Sequence, residues 1–204
     1  MLAETKVGPR VLTDGAMVEV RADREASTVT TDAHGRYTEA TRRGNVFNAS
    51  NVAAQAVSVA LATAYTGLVI SNPLGNTRNA VILGCQYALS VAPAAIASLH
   101  LIAGYSATTN VTHTTPLAAP GIQNGLIGTG PATTMKADSA ATVTNPTYLV
   151  PLGSGFTAAA LYSTTPQWID LGGIFILSPG AWIAVGALTA VTGFGGFVWE
   201  EVAI

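Results

Sequence analysis

The chain has 204 residues and a net charge of −2, with 49% hydrophobic, 7% aromatic and 10% charged residues. An ordinary soluble domain carries about 25% charged residues; here Ala, Gly, Thr, Ser and Asn take their place. The slightly acidic balance excludes a broad footprint for nucleic acid or an anionic membrane surface, and the single cysteine, Cys85, excludes an internal disulfide.

The charges are unevenly placed. Fourteen of the twenty lie in Met1–Arg43, seven basic and seven acidic. Only Arg78, Lys136, Asp138, Asp170, Glu200 and Glu201 follow. The stretch His34–Asn51 is the hand-over point, and the pattern predicts an extended N-terminal arm over residues 1–45 and a β-rich body over residues 46–204. A body of about 160 residues buries roughly 70% of its extended-chain surface, enough for a core of its own. Uncharged surface resists association poorly, so this composition points to a body that packs against copies of itself.

The N-terminal Met-Leu-Ala-Glu-Thr-Lys-Val-Gly-Pro lacks an apolar h-region, and no secretory signal is expected. In Ala16–Asp23, Val18, Val20 and Ala22 alternate with Glu19, Arg21 and Asp23, the period of a half-exposed strand. Such a strand would pair with the body's edge, a neighbouring copy or a different protein; the balanced charge fits a disordered tail equally.

From Val46 the chain runs in apolar pieces bounded by turn residues. Gln55–Leu61 alternates, and Gly67–Ile70 ends at the strong turn signal Ser71-Asn72-Pro73-Leu74-Gly75-Asn76. Ala80–Val91 reads as a long strand with room for a bulge at Gly84, and Cys85 within it as a small buried hydrophobe. Ala94–Tyr105 reads as a strand, with an Ala-rich helix as the alternative because Ile96, Leu99 and Ile102 recur every three residues. Ser106–Gly130, rich in Thr, Asn, Pro and Gly, reads as a long surface excursion. Thr133–Thr144 is a weak strand or loop, and Tyr148–Leu152 and Phe156–Tyr162 are further strand candidates. Trp168–Leu177, Ala181–Thr189 and Phe197–Val202, joined at Ser178-Pro179-Gly180 and Gly193–Gly196, predict an antiparallel meander.

Asn79–Met135 holds no charged residue, but Asn79, Gly84, Gln86, Ser90, Pro93 and Ser98 interrupt it too often for a span of about 20 apolar residues. Roughly eight to ten strands with almost no amphipathic helix predict an all-β fold: a jelly-roll-like two-sheet β-sandwich with an extended N-terminal arm.

No Gly-x-Ser-x-Gly, Walker, His-Glu-x-x-His or Cys-x-x-Cys motif occurs, and Gly125–Gly130 lacks the Lys-Ser/Thr that would hold a phosphate. The histidines are His34, His100 and His113. His100 and His113 would approach across a hairpin, and either would reach a metal with Asp138 or Asp170, but without a fixed motif neither a metal nor a cofactor is expected. Asp170, Glu200 and Glu201 are the scarce carboxylates. A glycosidase pair also needs groups to hold a sugar, whereas Trp168, Trp182 and Trp199 read as packing between sheets, and Glu200-Glu201 as ending the last strand in solvent or meeting a neighbour's base. No enzymatic activity is expected. Arg21, Arg24, Arg36, Tyr37, Arg42 and Arg43 are the candidate binding residues of the arm. Diluted by Asp32 and Glu39, they suit a protein partner, because mixed charge fixes register at an interface.

The stretch Gly35-Arg36-Tyr37-Thr38-Glu39-Ala40-Thr41-Arg42-Arg43-Gly44-Asn45-Val46-Phe47 is followed by an Asn-x-Ala strand, then Thr66-Gly67-Leu68-Val69-Ile70-Ser71-Asn72-Pro73 and a Gly-rich turn. Across most of the chain this pattern resembles capsid decoration (cement) proteins encoded among the head genes of tailed bacteriophages. The resemblance implies a homotrimer with a jelly-roll or other β-rich body, made in the bacterial host cytoplasm and bound to the major capsid protein on the outside of the virion. It implies no cofactor, no nucleic acid and no membrane. The alternatives are a trimeric head-fibre or receptor-binding module that recognises host glycans through the Ser106–Gly130 loop, and a cupin-like enzyme, which would need a His/Glu metal cluster.

Overall fold

The structure, a computed structural model, describes residues 35–59, 61–93, 95–117, 121–155 and 167–204. Ala40–Ile204 forms one compact unit, and the residues up to Glu39 belong to another. The alternation at Ala16–Asp23 and the strand expected at Phe156–Tyr162 lie outside the described residues. Among the described residues a one-turn helix, α1 (Thr38–Arg42), is followed by twelve strands, more than the sequence predicts: β1 (Val46–Ser50), β2 (Gln55–Val57), β3 (Ala64–Ser71), β4 (Arg78–Leu89), β5 (Ala97–Tyr105), β6 (Thr112–Pro116), β7 (Ile122–Asn124), β8 (Lys136–Thr142), β9 (Thr147–Gly155), β10 (Gln167–Leu177), β11 (Ala181–Ala187) and β12 (Val191–Ala203).

The pairing is that of a long antiparallel ribbon folded over on itself. β1 pairs with β12, β3 with β11, β4 with β10 and β5 with β9. Lateral joins of β12 to β4 and of β11 to β5 complete the sheets. The first sheet runs β10-β4-β12-β1-β7, with β2 also on β12; the second runs β6-β8-β3-β11-β5-β9. Eight strands nested in this way are a jelly roll.

Two expectations about topology are corrected. The C-terminal strands are not a meander: β10 and β12 lie in the first sheet and β11 in the second, so the turns after Leu177 and Ala187 cross between layers. The burial of β11 is the physical reason. Every residue from Trp182 to Ala187 is buried, as a strand with neighbours on both sides and cover on both faces requires. The Ser106–Gly130 segment is also more than a loop, since it contains β6 and β7. With β8, these strands extend the first sheet beyond β1 and the second beyond β3.

Between the sheets lie Phe47, Leu68, Ile70, Ile82, Cys85, Leu101, Ile183, Val185, Phe197 and Trp199, with Phe47 stacked on Trp199 at 6.1 Å. Val69, Ile102, Trp182 and Ala184, which alternate with core residues, belong to a second buried cluster with Tyr65, Val111 and Val143. Tyr65 donates its hydroxyl hydrogen to the Val185 carbonyl, and the Trp182 indole N–H donates to Thr144 O at 2.9 Å. Burial pushes the Cys85 thiol up to about 11, which fits a packing residue and not a nucleophile.

Buried polar side chains hold the connections. The Asn72 amide donates to the carbonyls of Arg78 (2.8 Å) and Leu177 (2.9 Å), while Asn72 N donates to Ala181 O and Gly180 N to Asn72 O. Glu201 was expected in solvent or against a neighbouring molecule; it is 2% exposed. Its carboxylate accepts from Thr133 Oγ1, from Thr134 N at 3.0 Å, from Thr134 Oγ1 at 2.8 Å and from the Trp199 indole at 3.5 Å. The segment before β8 is thereby fastened to β12. Glu201→Ala strands these donors, each at about 1–3 kcal/mol if left unsatisfied. The variant is expected to lose at least about 2 kcal/mol in urea unfolding and to lose hydrogen-exchange protection at the Thr134 amide. An unchanged urea midpoint would show that the fastening contributes nothing.

Candidate functional site

The predicted arm residues divide between the two units. Arg21 and Arg24 lie outside the described residues. Arg36 and Tyr37 come together, the guanidinium 5.2 Å from the ring centroid, a cation–π contact. Arg42 and Arg43 are exposed at the C-terminal end of α1, where positive charge suits the helix dipole. The helix stops at Gly44, whose φ of 72° takes the left-handed cap conformation; Gly44 N and Asn45 N donate back to Thr41 O and Ala40 O. The chain then enters β1.

The histidines do not meet across a hairpin. The His100 ring packs against Tyr148 at 5.2 Å. His113, on β6, places Nδ1 2.7 Å from Asp138 Oδ2 on β8. The side chain of His113 is 34% exposed and that of Asp138 is fully buried, and Asp138 Oδ1 has no partner. A cleft of about 350 Å³ opens here, lined by His113, Thr133, Lys136 and apolar neighbours that include Leu117 and Met135.

A histidine oriented by a buried carboxylate is two-thirds of a nucleophilic triad, but among the described residues no hydroxyl or thiol is bonded to His113. The Thr133 hydroxyl lines the cleft and is committed to Glu201. Among the described residues no three His, Cys, Asp or Glu side chains gather to hold a metal ion. Asp170, on β10, instead caps its own bulge, Oδ1 accepting from Gly172 N at 2.8 Å.

Exposed apolar side chains are spread over the body, and four of them lie along one edge. β9 and β10 end their sheets on the side opposite β6–β8, and Tyr148, Leu149, Ile174 and Ile176 are exposed along them, Ile174 at 73% and Ile176 at 56%. Between these edges runs an apolar groove of about 440 Å³, lined by residues that include Tyr105, Leu149, Phe175, Ile176 and Ile183. Strand addition to these edges is discouraged. β9 carries Pro151, which lacks an N–H, and β10 breaks register between Asp170 and Phe175, where Gly172 and Gly173 take φ of 57° and 81°. The edge therefore offers side chains for contact in place of a ladder.

Trp199 packs between the sheets as expected and Trp182 is buried in the second cluster, but Trp168 is half-exposed on the outer face of the first sheet. The signal for this was present: Trp168 and Asp170 alternate with the inward Ile169 and Leu171. Among the described residues no helix is long and apolar enough to cross a membrane. Compared with protein-family models, curated proteins and solved structures, the chain matches none.

Burial pushes the Asp138 carboxyl above the usual carboxylate range, while the hydrogen bond and charge of His113 and the charge of Lys136 pull it partly back. A raised folded-state value favours the protonated acid, so the contribution of Asp138 to stability is present below the ordinary Asp value and is lost as pH rises through the raised one. Asp138→Asn is expected to remove that decline. Urea midpoints of the two proteins followed from about pH 3.9 to neutrality should converge at the acid end and separate as pH rises, the variant becoming relatively more stable. Parallel profiles would show that Asp138 carries no such linkage.

Proposed function

We propose that the chain is a structural virion protein, a homotrimeric decoration protein that binds the outside of a tailed-phage capsid and stabilises the shell. The observation that carries this reading is the surface of the body. Of its six charged side chains, Asp138 and Glu201 are buried, which leaves Arg78, Lys136, Asp170 and Glu200 to keep an entire jelly roll apart from its neighbours. Meanwhile Tyr148, Leu149, Ile174 and Ile176 stand exposed along one edge. A surface with so little repulsion and exposed apolar side chains along this edge, as at Val91, Ile96 and Leu188 elsewhere, suits permanent association.

In this reading the β9–β10 edge joins copies of the body, and the arm, with Arg21, Arg24, Arg36, Tyr37, Arg42 and Arg43, contacts the major capsid protein. Three arms on one trimer multiply modest individual affinities through effective concentration. No turnover and no cofactor are required.

Light scattering on a sizing column is expected to give a mass near three times 20.7 kDa. Ile176→Asp, at an exposed position, should leave the fold intact and reduce the mass to that of one chain. Deleting residues 2–40 should leave a folded oligomer that no longer co-sediments with capsids. Capsid binding retained by the truncated protein would sink the assignment of the arm, and a trimer unaffected by Ile176→Asp would sink that of the edge.

A further inference from the structure

The outer face of the first sheet carries a polar and aromatic constellation that begins on β10 and runs inward from the apolar residues Ile174 and Ile176 of the same strand. Ile169, Cys85, Phe197 and Ala49 point inward, so their neighbours along each strand point outward. Register then places Trp168 of β10, Gln86 of β4, Gly196 of β12 and Ser50 of β1 in one row across four strands, about 14 Å from end to end at about 4.8 Å per strand.

Two glycines shape this row. A Cβ on Gly84 would fall 2.2–2.8 Å from atoms of the Trp168 six-membered ring. The indole therefore lies across Gly84, with one side against the sheet and the other toward solvent, as its 50% exposure requires. A Cβ on Gly196 would fall 2.9 Å from Gln86 Cγ and 3.0 Å from Nε2, so the Gln86 side chain likewise lies low over a glycine. Exposed Asn48 and Asp170 flank the row through their own pairings with Val198 and Gly84, and the bond from Gly172 N fixes the orientation of the Asp170 carboxylate.

We infer that this face is a carbohydrate-binding site for a neutral saccharide chain. A pyranose ring offers one face of C–H bonds, which stacks on an aromatic ring, and a rim of hydroxyls, which both donate and accept. Trp168 supplies the ring. The amides of Gln86 and Asn48 and the hydroxyl of Ser50 donate and accept in the same plane, and Asp170 accepts. The row crosses four strands, about 14 Å at about 4.8 Å per strand, which suits a chain over a single sugar. An indole, two amides and a hydroxyl bring no cation to the row, which favours a neutral chain over an acidic one.

Trp182 and Trp199 are fully buried, so iodide quenching of tryptophan fluorescence reports on Trp168. The full-length protein is titrated with maltohexaose, xylohexaose and the N-acetylglucosamine hexamer, with the galacturonic acid hexamer as the acidic control. At least one neutral hexamer is expected to shield Trp168 from iodide, and the acidic one is not. By calorimetry, Trp168→Ala should weaken binding of that hexamer at least about tenfold, while Trp168→Phe retains part of it. Iodide quenching unchanged by every neutral hexamer would overturn the site, as would equal binding by Trp168→Ala. A change of oligomeric mass in Trp168→Ala without sugar binding would also overturn it and give the face to a second copy. Ile176→Asp separates this site from the assembly edge: it is expected to bind sugar as the parent protein does, whatever its mass.

Discussion

The jelly roll turns on one side chain, Asn72. When a ribbon of strands folds from one sheet to the other, its ladder is interrupted at the corner, and carbonyls there lose their partners. Leaving such groups buried and unpaired costs about 1–3 kcal/mol each. Asn72 sits where two corners coincide, between β3 and β4 and between β10 and β11, and its amide serves a carbonyl from each, at Arg78 and Leu177. The second corner adds its own constraint at Gly180, where φ is 89° and a Cβ would stand 2.2 Å from the Ser106 carbonyl oxygen. Short local signals, Asn-Pro in one turn and Ser-Pro-Gly in the other, thus fix a contact between positions 105 residues apart.

How far this was legible in the sequence differs between elements, for physical reasons. Alternation and turn chemistry are local, so the strand around Ala80–Val91, the bulge near Gly84 and the two-sheet class could be read directly, while Ala94–Tyr105 read as a strand with an Ala-rich helix as the alternative and contains the strand β5. Layer assignment is not local. A tight turn between β10 and β11 looks the same whether the strands pair with each other or separate into different sheets, and only the all-buried pattern of Trp182–Ala187 hints at the second outcome. β6 and β7 were hidden because a run such as Thr112-His113-Thr114-Thr115-Pro116 has no apolar period; its pairing with β8 makes it a strand. The pairing of His113 with Asp138 follows from the same ladder, and the charged end of Glu201 gave no sign that Thr133 and Thr134 would fold over it.

The few charges of the body are used mostly for construction. Both buried carboxylates hold the insertion between β5 and β9. Glu201 draws in the segment at Thr133–Thr134, and Asp138 reaches from β8 to His113 on β6. The two are not equivalent: Glu201 is surrounded by donors, whereas Asp138 keeps an oxygen without a partner. Together they keep β6–β8 against the β1 and β3 sides of the sandwich. One long side is therefore extended and fastened, while the other ends at β9 and β10 with apolar side chains in the open. The contrast between the two sides depends on the ionisable groups buried on one of them.

Glycine in a strand costs stability relative to alanine by roughly 0.5–1 kcal/mol, so a sheet that carries several in its central strands must gain something from each. On the inward side of β12 the gain is steric necessity, since a Cβ on Gly193 would strike the Ala88 carbonyl oxygen at 2.1 Å and one on Gly195 would crowd Leu68 and Asn51. On the outward side the obstruction is of another kind. The atoms that bar a Cβ at Gly84 and Gly196 belong to Trp168 and Gln86, side chains that an ordinary sheet would let swing into water. At both positions the nearest atoms to such a Cβ are those of the covering side chain. What the glycines secure is a ring and an amide held flat on the sheet, which is a property of a recognition surface more than of a core.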